Sequence, residues 1–230
     1  MRIGGVTALS SLDFPDALSA VVFCRGCPWR CPYCHNAALR ELAPGEEGQE
    51  FDRFVEWLDG RRGLLDAVVF SGGEPTLQPG LAAAITAVRE MGFRIGLHTA
   101  GIFPKALAGV LSLCDWVGLD IKAPHCRYSR ASGVIGGDRA AFASLDLLKA
   151  SRIPFEVRTT WHPDVLDEAS LMRLAGELHA EDVGTWVLQA FRPQGCIDAR
   201  LAAAGPAVFP DGLRERLAAA APGLSIALRE

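Results

Sequence analysis

The sequence predicts an α/β protein built on a parallel β-sheet, and three observations carry that expectation. Short apolar runs, β-branched or aromatic, recur along the chain between turn residues. Amphipathic, helix-compatible stretches separate them. The residues able to do chemistry follow the apolar runs rather than being scattered. Alternation of this kind implies βαβ units, and runs that are apolar throughout suit strands buried on both faces.

In chain order, strands are expected at 17–24 (ALSAVVFC), 65–72 (LDAVVFSG), 93–99 (FRIGLHT), 116–122 (WVGLDIK), 155–161 (FEVRTTW) and 185–191 (TWVLQAF). Helices are expected between them at 51–62, 79–92, 104–114, 138–151 and 168–180, with a last one at 211–221. Six strands could stay an open sheet or curl into a partial barrel, and periodicity does not choose between these. In either case the loops after the strands open on one face, where such folds place their chemistry. Those loops read CRGCPWRCPYCHN (24–36), GGEP (72–75), HTAG (98–101), DIK (120–122), TTWHP (159–163) and FRPQG (191–195).

With 230 residues, half of them hydrophobic, the chain can bury one substantial core. A net charge of −4 argues against nucleic-acid binding driven by bulk charge. No apolar stretch is long enough to cross a bilayer, and MRIGGVTALSSLDFPD lacks the pattern of a signal peptide. A cytoplasmic protein with neither nucleic-acid nor membrane partners is expected. Seven cysteines in that compartment do not read as a disulfide framework. Cys114, Cys126 and Cys196 lie far apart and read as small core or surface residues.

The other four crowd together as Cys24-x2-Cys27-x3-Cys31-x2-Cys34. Structural zinc sites set their two thiolate pairs a dozen or so residues apart, so this spacing suits tetrahedral zinc poorly. An iron–sulfur cluster, taking one thiolate on each closely spaced iron, suits it better. Four ligands would close every iron, as in electron transfer. Three would leave one position open, as catalytic metal sites do. Cys27, Cys31 and Cys34 supply three, while Cys24 belongs to the end of the first strand.

The C-x3-C-x2-C run after a first strand, with Tyr33 between the last two cysteines, resembles the radical S-adenosylmethionine (SAM) superfamily. FSGGEP, DWVGLDIKAP and VRTTWHP extend the likeness from about residue 3 to 195. GCPWRCPYCHN resembles the glycyl-radical-enzyme activating enzymes, above all the anaerobic ribonucleoside-triphosphate reductase activating protein family. The resemblance implies a partial (β/α)6 barrel with parallel strands. It would form a single radical SAM domain over 1–230, with its core at roughly 17–195 and the helix 211–221 closing it.

It also implies a [4Fe-4S] cluster on Cys27, Cys31 and Cys34, the catalytic centre, whose unique iron chelates S-adenosyl-L-methionine. Gly72, Gly73 and Glu74 would bind the methionine amino group, the glycines by close backbone approach and Glu74 as acceptor. Thr99 would give a hydroxyl contact where relatives carry a Thr-Asn-Gly-like sequence. Asp120 and Lys122, on one side of a period-two strand, would bind ribose hydroxyls and a carboxylate. Arg158, a charge in a strand, needs a partner: the cofactor carboxylate, or Glu156 two residues away. Tyr33 either packs on adenine or wedges the loop. Arg192 stands where formate-lyase activators have a histidine, which favours the reductase-type branch. His162 lies in the loop after the fifth strand, and His98 reads as a satisfied strand histidine.

A compact chain with one cluster fits a substrate that is itself a loop of a protein. The expected activity is therefore installing a glycyl radical on anaerobic ribonucleotide reductase, with a flavodoxin or ferredoxin-type electron donor. One alternative is a small-molecule enzyme like 7-carboxy-7-deazaguanine synthase. The other is a non-catalytic iron–sulfur electron carrier using Cys24 as fourth ligand, which would leave GGEP and DIK without a use.

Overall fold

The structure, a computed structural model, describes residues 1–41 and 49–230. Its strands are β1 (Ile3–Ser10), β2 (Ser19–Cys24), β3 (Ala67–Gly72), β4 (Arg94–Thr99), β5 (Trp116–Asp120), β6 (Phe155–Trp161), β7 (Thr185–Ala190) and β8 (Ser225–Arg229). They succeed one another in the sheet in chain order. β1 runs antiparallel to β2, while β2–β3, β3–β4, β6–β7 and β7–β8 are parallel. The helices are α1 (Gln49–Asp59), α2 (Leu81–Glu90), α3 (Pro104–Val110), α4 (Tyr128–Ser132), α5 (Gly137–Ala150), α6 (Glu168–Ala180), α7 (Ala199–Ala204) and α8 (Leu213–Ala220). The parallel α/β class is as the sequence predicts, and the six expected strands are β2 to β7.

Three differences have physical causes. β1 and β8 lie outside the expected set. β1 (IGGVTALS) buries only Ile3 and is exposed along most of its length, so it carries no apolar run to read. β8 buries only Ile226. Helix 104–114 ends early: α3 stops at Val110 and the chain tightens into a 3-10 turn over Leu111–Leu113. β5 stops at Asp120, so Lys122 stands in the loop beyond it rather than on the strand.

Packing divides the chain into two compact units. One comprises Met1–Pro28, Ala38–Gly118 and Ala143–Pro154; the other comprises Trp29–Ala37, Leu119–Phe142 and Phe155–Glu230. In the first, Phe14, Ala17, Val21, Ala67, Val69 and Trp116 form a core with Phe23 against it. Gly96 makes room for that core, since a Cβ there would lie 2.9 Å from Val69 Cγ2 and 3.0 Å from the Phe14 ring. In the second, the fully buried Trp186 donates its indole N–H to Thr159 Oγ1 at 2.9 Å, and Thr159 donates to the Ile121 carbonyl at 2.6 Å. Buried polar atoms are thereby satisfied across three stretches of chain. Among the described residues no helix is long and apolar enough to cross a membrane.

Candidate active site

In the first unit β2 and β3 end together, with Cys24 and Gly72 as register partners. Beyond them Gly73 N–H donates to the Cys24 carbonyl and Glu74 N–H to the Gly26 carbonyl, both at 2.8 Å. Gly26 and Cys27 are tied in turn to the carbonyls of Leu39 (2.7 Å) and Arg40 (3.1 Å). Gly72 has φ +109°, and a Cβ there would overlap the Cys24 backbone. One on Gly73 would overlap the Gly26 carbonyl. The two glycines therefore let the chain lie against the strand end that launches the cysteine loop.

Glu74 is fully buried. Its Oε1 accepts from Thr76 N (3.0 Å), Thr76 Oγ1 (2.5 Å) and Thr99 Oγ1 (2.7 Å), and its Oε2 from Ala100 N (2.9 Å). Burial pushes this carboxyl up, against the pull of the four donors. Thr99 Oγ1 also accepts from Gly101 N at 3.0 Å. Glu74 and Thr99, expected as separate cofactor contacts, are brought together as partners that join the loops after β3 and β4.

Cys24 is fully buried, with its Sγ 4.0 Å from Met1 Sδ. Burial pushes its thiol up to about 12. Its place is in the packing of β2. Cys27 is partly exposed. His98 is a satisfied strand histidine, as expected: Nε2 lies 2.9 Å from the Asp13 carbonyl and the ring meets Trp116 edge-on.

The second unit holds the rest of the cysteine loop. Arg30 N–H donates to the Ser132 carbonyl at 2.9 Å, and Cys31 Sγ lies 3.7 Å from the same oxygen. Gly133, at φ +71°, receives the loop so closely that a Cβ there would lie 2.5 Å from the Arg30 carbonyl. Cys31 is buried and Cys34 partly exposed, with Cys34 N–H donating to the Cys31 carbonyl at 3.3 Å. Burial pushes the Cys31 thiol up, and the Lys122 ammonium opposes that. Lys122 Nζ sits 3.1 Å from Asp120 Oδ2 and 5.9 Å over the Trp29 ring. Burial works against its charge, but Asp120, Cys31, Tyr33 and Tyr128 hold it well above the usual lysine value. Tyr33 is buried, and its hydroxyl has no hydrogen-bond partner among the described residues.

Arg158 Nε lies 3.9 Å from both Asp120 Oδ1 and Glu156 Oε1. Glu156 also takes Arg229 through two contacts of 3.2 and 3.3 Å. Asp120 thus pairs with Lys122 at the strand end, and Arg158 has the Glu156 partner named from the sequence as the alternative to a cofactor carboxylate. Arg192 turns its guanidinium to the Glu230 carbonyl. His162 is buried against Phe191 and its Nδ1 accepts from Asp164 N at 3.1 Å, so it fixes a turn. Sequence reasoning passed over His35, Gly133 and Gly195; only glycines in otherwise polar loops marked two of them.

Among the described residues no three His, Cys, Asp or Glu side chains are placed to share one metal ion. A cubane cluster takes each thiolate on a different iron, and the donor set suits such a group. Cys27, Cys31 and Cys34 lie off the strand, whereas Cys24 is buried in it. The Tyr33 hydroxyl, unmatched among the described residues, is a donor that a bound ligand could satisfy, since buried donors are rarely left unpaired. The Lys122 ammonium beside it suits a carboxylate-bearing ligand.

A parallel α/β sheet with a three-cysteine loop after its first parallel strand is the framework of radical enzymes that use S-adenosylmethionine. The profile described as the Radical SAM superfamily matches residues 21–175, and the chain belongs to that superfamily. It is 31% identical over 207 residues to a Methanocaldococcus jannaschii protein named for glycyl-radical enzyme activation, covering 85% of this chain and 82% of that one. It is 35% identical over 128 residues to the pyruvate formate-lyase-activating enzyme of Clostridium pasteurianum, covering 53% and 52%. Among solved structures, Streptococcus suis SuiB bound to its precursor peptide SuiA shares the fold, with a TM-score of 0.68 at 13% identity, over 91% of this chain and 48% of SuiB.

Proposed function

We propose that this radical SAM enzyme activates a glycyl-radical enzyme, and that its protein substrate is an anaerobic ribonucleoside-triphosphate reductase. The observation that carries this reading is the 31% identity to the Methanocaldococcus jannaschii protein, spread over most of both chains. Cys27, Cys31 and Cys34 hold a [4Fe-4S] cluster. Held by these cysteines, the cluster would supply the one-electron reduction of S-adenosyl-L-methionine that makes hydrogen abstraction from a glycine Cα possible. Lys122 receives the methionine carboxylate, and Asp120, whose side chain is 38% exposed, can accept from ribose hydroxyls on lone pairs beside its contacts to Lys122 and Arg158. Arg158 holds Asp120 in place, and the Gly72–Gly73 backbone lines the methionine end. Tyr33 presents its flat face and its hydroxyl to the nucleoside. The enzyme works in the cytoplasm with a flavodoxin or ferredoxin-type donor.

Electron paramagnetic resonance on anaerobically reconstituted, dithionite-reduced protein tests the first half. A cluster signal is expected to change on adding S-adenosyl-L-methionine, to vanish in Cys31→Ala and to persist in Cys24→Ala. A signal indifferent to the cofactor and dependent on Cys24 would leave only the electron carrier. Mixing with the reductase then tests the second half: a persistent glycine-centred doublet supports the activator, and its absence with 5′-deoxyadenosine still forming points to a small-molecule substrate.

A further inference from the structure

The second half of the cysteine loop is gripped by a segment more than 150 residues further on. β7 ends at Ala190, and Phe191 N–H donates to the Trp161 carbonyl at 2.9 Å, which anchors the start of that segment. The His35 ring lies 5.4 Å from the buried Phe191 ring, tilted by 37°. Arg192 N–H donates to His35 Nε2 at 3.3 Å, so the ring is held from its face and from its edge. The chain then turns, Cys196 N–H donating to the Pro193 carbonyl at 3.1 Å, and Cys196 Sγ reaches the Pro32 carbonyl at 3.3 Å. Between these contacts Gly195, at φ +78°, lies directly on the His35 carbonyl, where a Cβ would overlap that oxygen. Pro32 and His35 bracket Tyr33 and Cys34. One six-residue segment therefore fixes both flanks of a candidate ligand and of the residue beside it.

We propose that residues 191–196 are a positioning clasp for Cys34 and Tyr33, with the Gly195–His35 contact as its closing point. The clasp rests on the cluster reading above and adds to it a determinant outside the cysteine motif. A loop held on both flanks keeps its thiol in place before and after a cluster is loaded, and groups that orient a metal ligand change metal retention when removed. The glycine is needed for two separable reasons. Its positive φ disfavours any side chain, and its surroundings exclude one.

Gly205 separates the two, because it has φ +80° with nothing within 4 Å of a Cβ. The experiment reconstitutes the full chain anaerobically and measures iron and sulfide per protein, then tracks loss of the cluster to a chelator. Gly195→Ala and His35→Ala are expected to lose it about tenfold faster than wild type or more. Gly205→Ala, which adds a side chain at positive φ without meeting a neighbour, should match wild type, and His35→Gln, whose amide oxygen can accept from Arg192 N–H, should recover most of the retention. Thermal unfolding of the cluster-free chains should leave His35→Ala and His35→Gln equally stable while their cluster retention differs, which separates the clasp from general destabilisation. A wild-type chain that holds its cluster while both Gly195→Ala and His35→Ala hold theirs as long overturns the clasp alone. A wild-type chain that takes up no cluster overturns the underlying reading and the clasp with it.

Discussion

At the scale of single residues, Thr99 shows how much depends on one hydroxyl. It donates to a fully buried carboxylate at 2.7 Å and accepts from Gly101 N at 3.0 Å. Thr99→Val keeps the shape and removes both bonds, leaving Glu74 one donor short and a backbone N–H unmatched. Leaving buried groups unsatisfied costs about 1–3 kcal/mol, so a fall in melting temperature of roughly 4–8 °C is expected by calorimetry for a loss near 2 kcal/mol in a chain of this size. Thr99→Ser should restore most of it, and equal melting of the valine and serine variants would sink the account. Glu74 and Thr99 were both visible in the sequence, but not their pairing. They lie 25 residues apart in different strand-end loops, and only the parallel register brings them together. The cysteines were legible for the opposite reason, since their spacing is local.

Among the elements, α5 shows how a helix start is fixed. Asp138 lies in its first turn and meets His125 Nδ1 at 2.9 Å, while the His125 ring stacks on Phe142 of the same helix at 3.9 Å between centroids. The hydrogen bond from His125 holds the Asp138 carboxyl below the usual aspartate range. A depressed folded value means that the stabilisation is fully present above the unfolded value of about 3.9 and is lost as pH falls through the folded one. Urea unfolding of wild type and Asp138→Asn should therefore differ most near neutrality and converge below about pH 4; a gap that does not change with pH would refute the linkage. The strands β2 to β7 could be read because each is a run of buried residues. β1 and β8 could not, because an edge strand needs only backbone pairing and can be exposed along its length. The five-residue α4 and six-residue α7 are too short for a 3.6-residue period to show.

For the molecule as a whole, the order of strand and helix and the gathering of unusual residues at strand ends were legible, because alternation and loop placement are properties of the chain itself. The division of roles was less so. Asp120, Lys122, Arg158 and Glu156 form one charge network in the fold, whereas the sequence offered Glu156 to Arg158 only as one of two alternatives and gave no sign of which charges await a ligand. Ligand linkage resolves that question without reference to turnover. A ligand that binds only the folded state stabilises it by about 2.7 kcal/mol when present at roughly a hundred times its dissociation constant. For a chain of this length that corresponds to a rise in melting temperature of roughly 5–10 °C. Cluster-loaded wild type should show that rise with S-adenosyl-L-methionine. Lys122→Ala should lose most of it if the ammonium receives the carboxylate, and Cys24→Ala should keep it, because Cys24 serves only β2. If Lys122→Ala shifts as far as wild type, Lys122 does no more than close the ion pair with Asp120, and the carboxylate end of the cofactor must be held by another group.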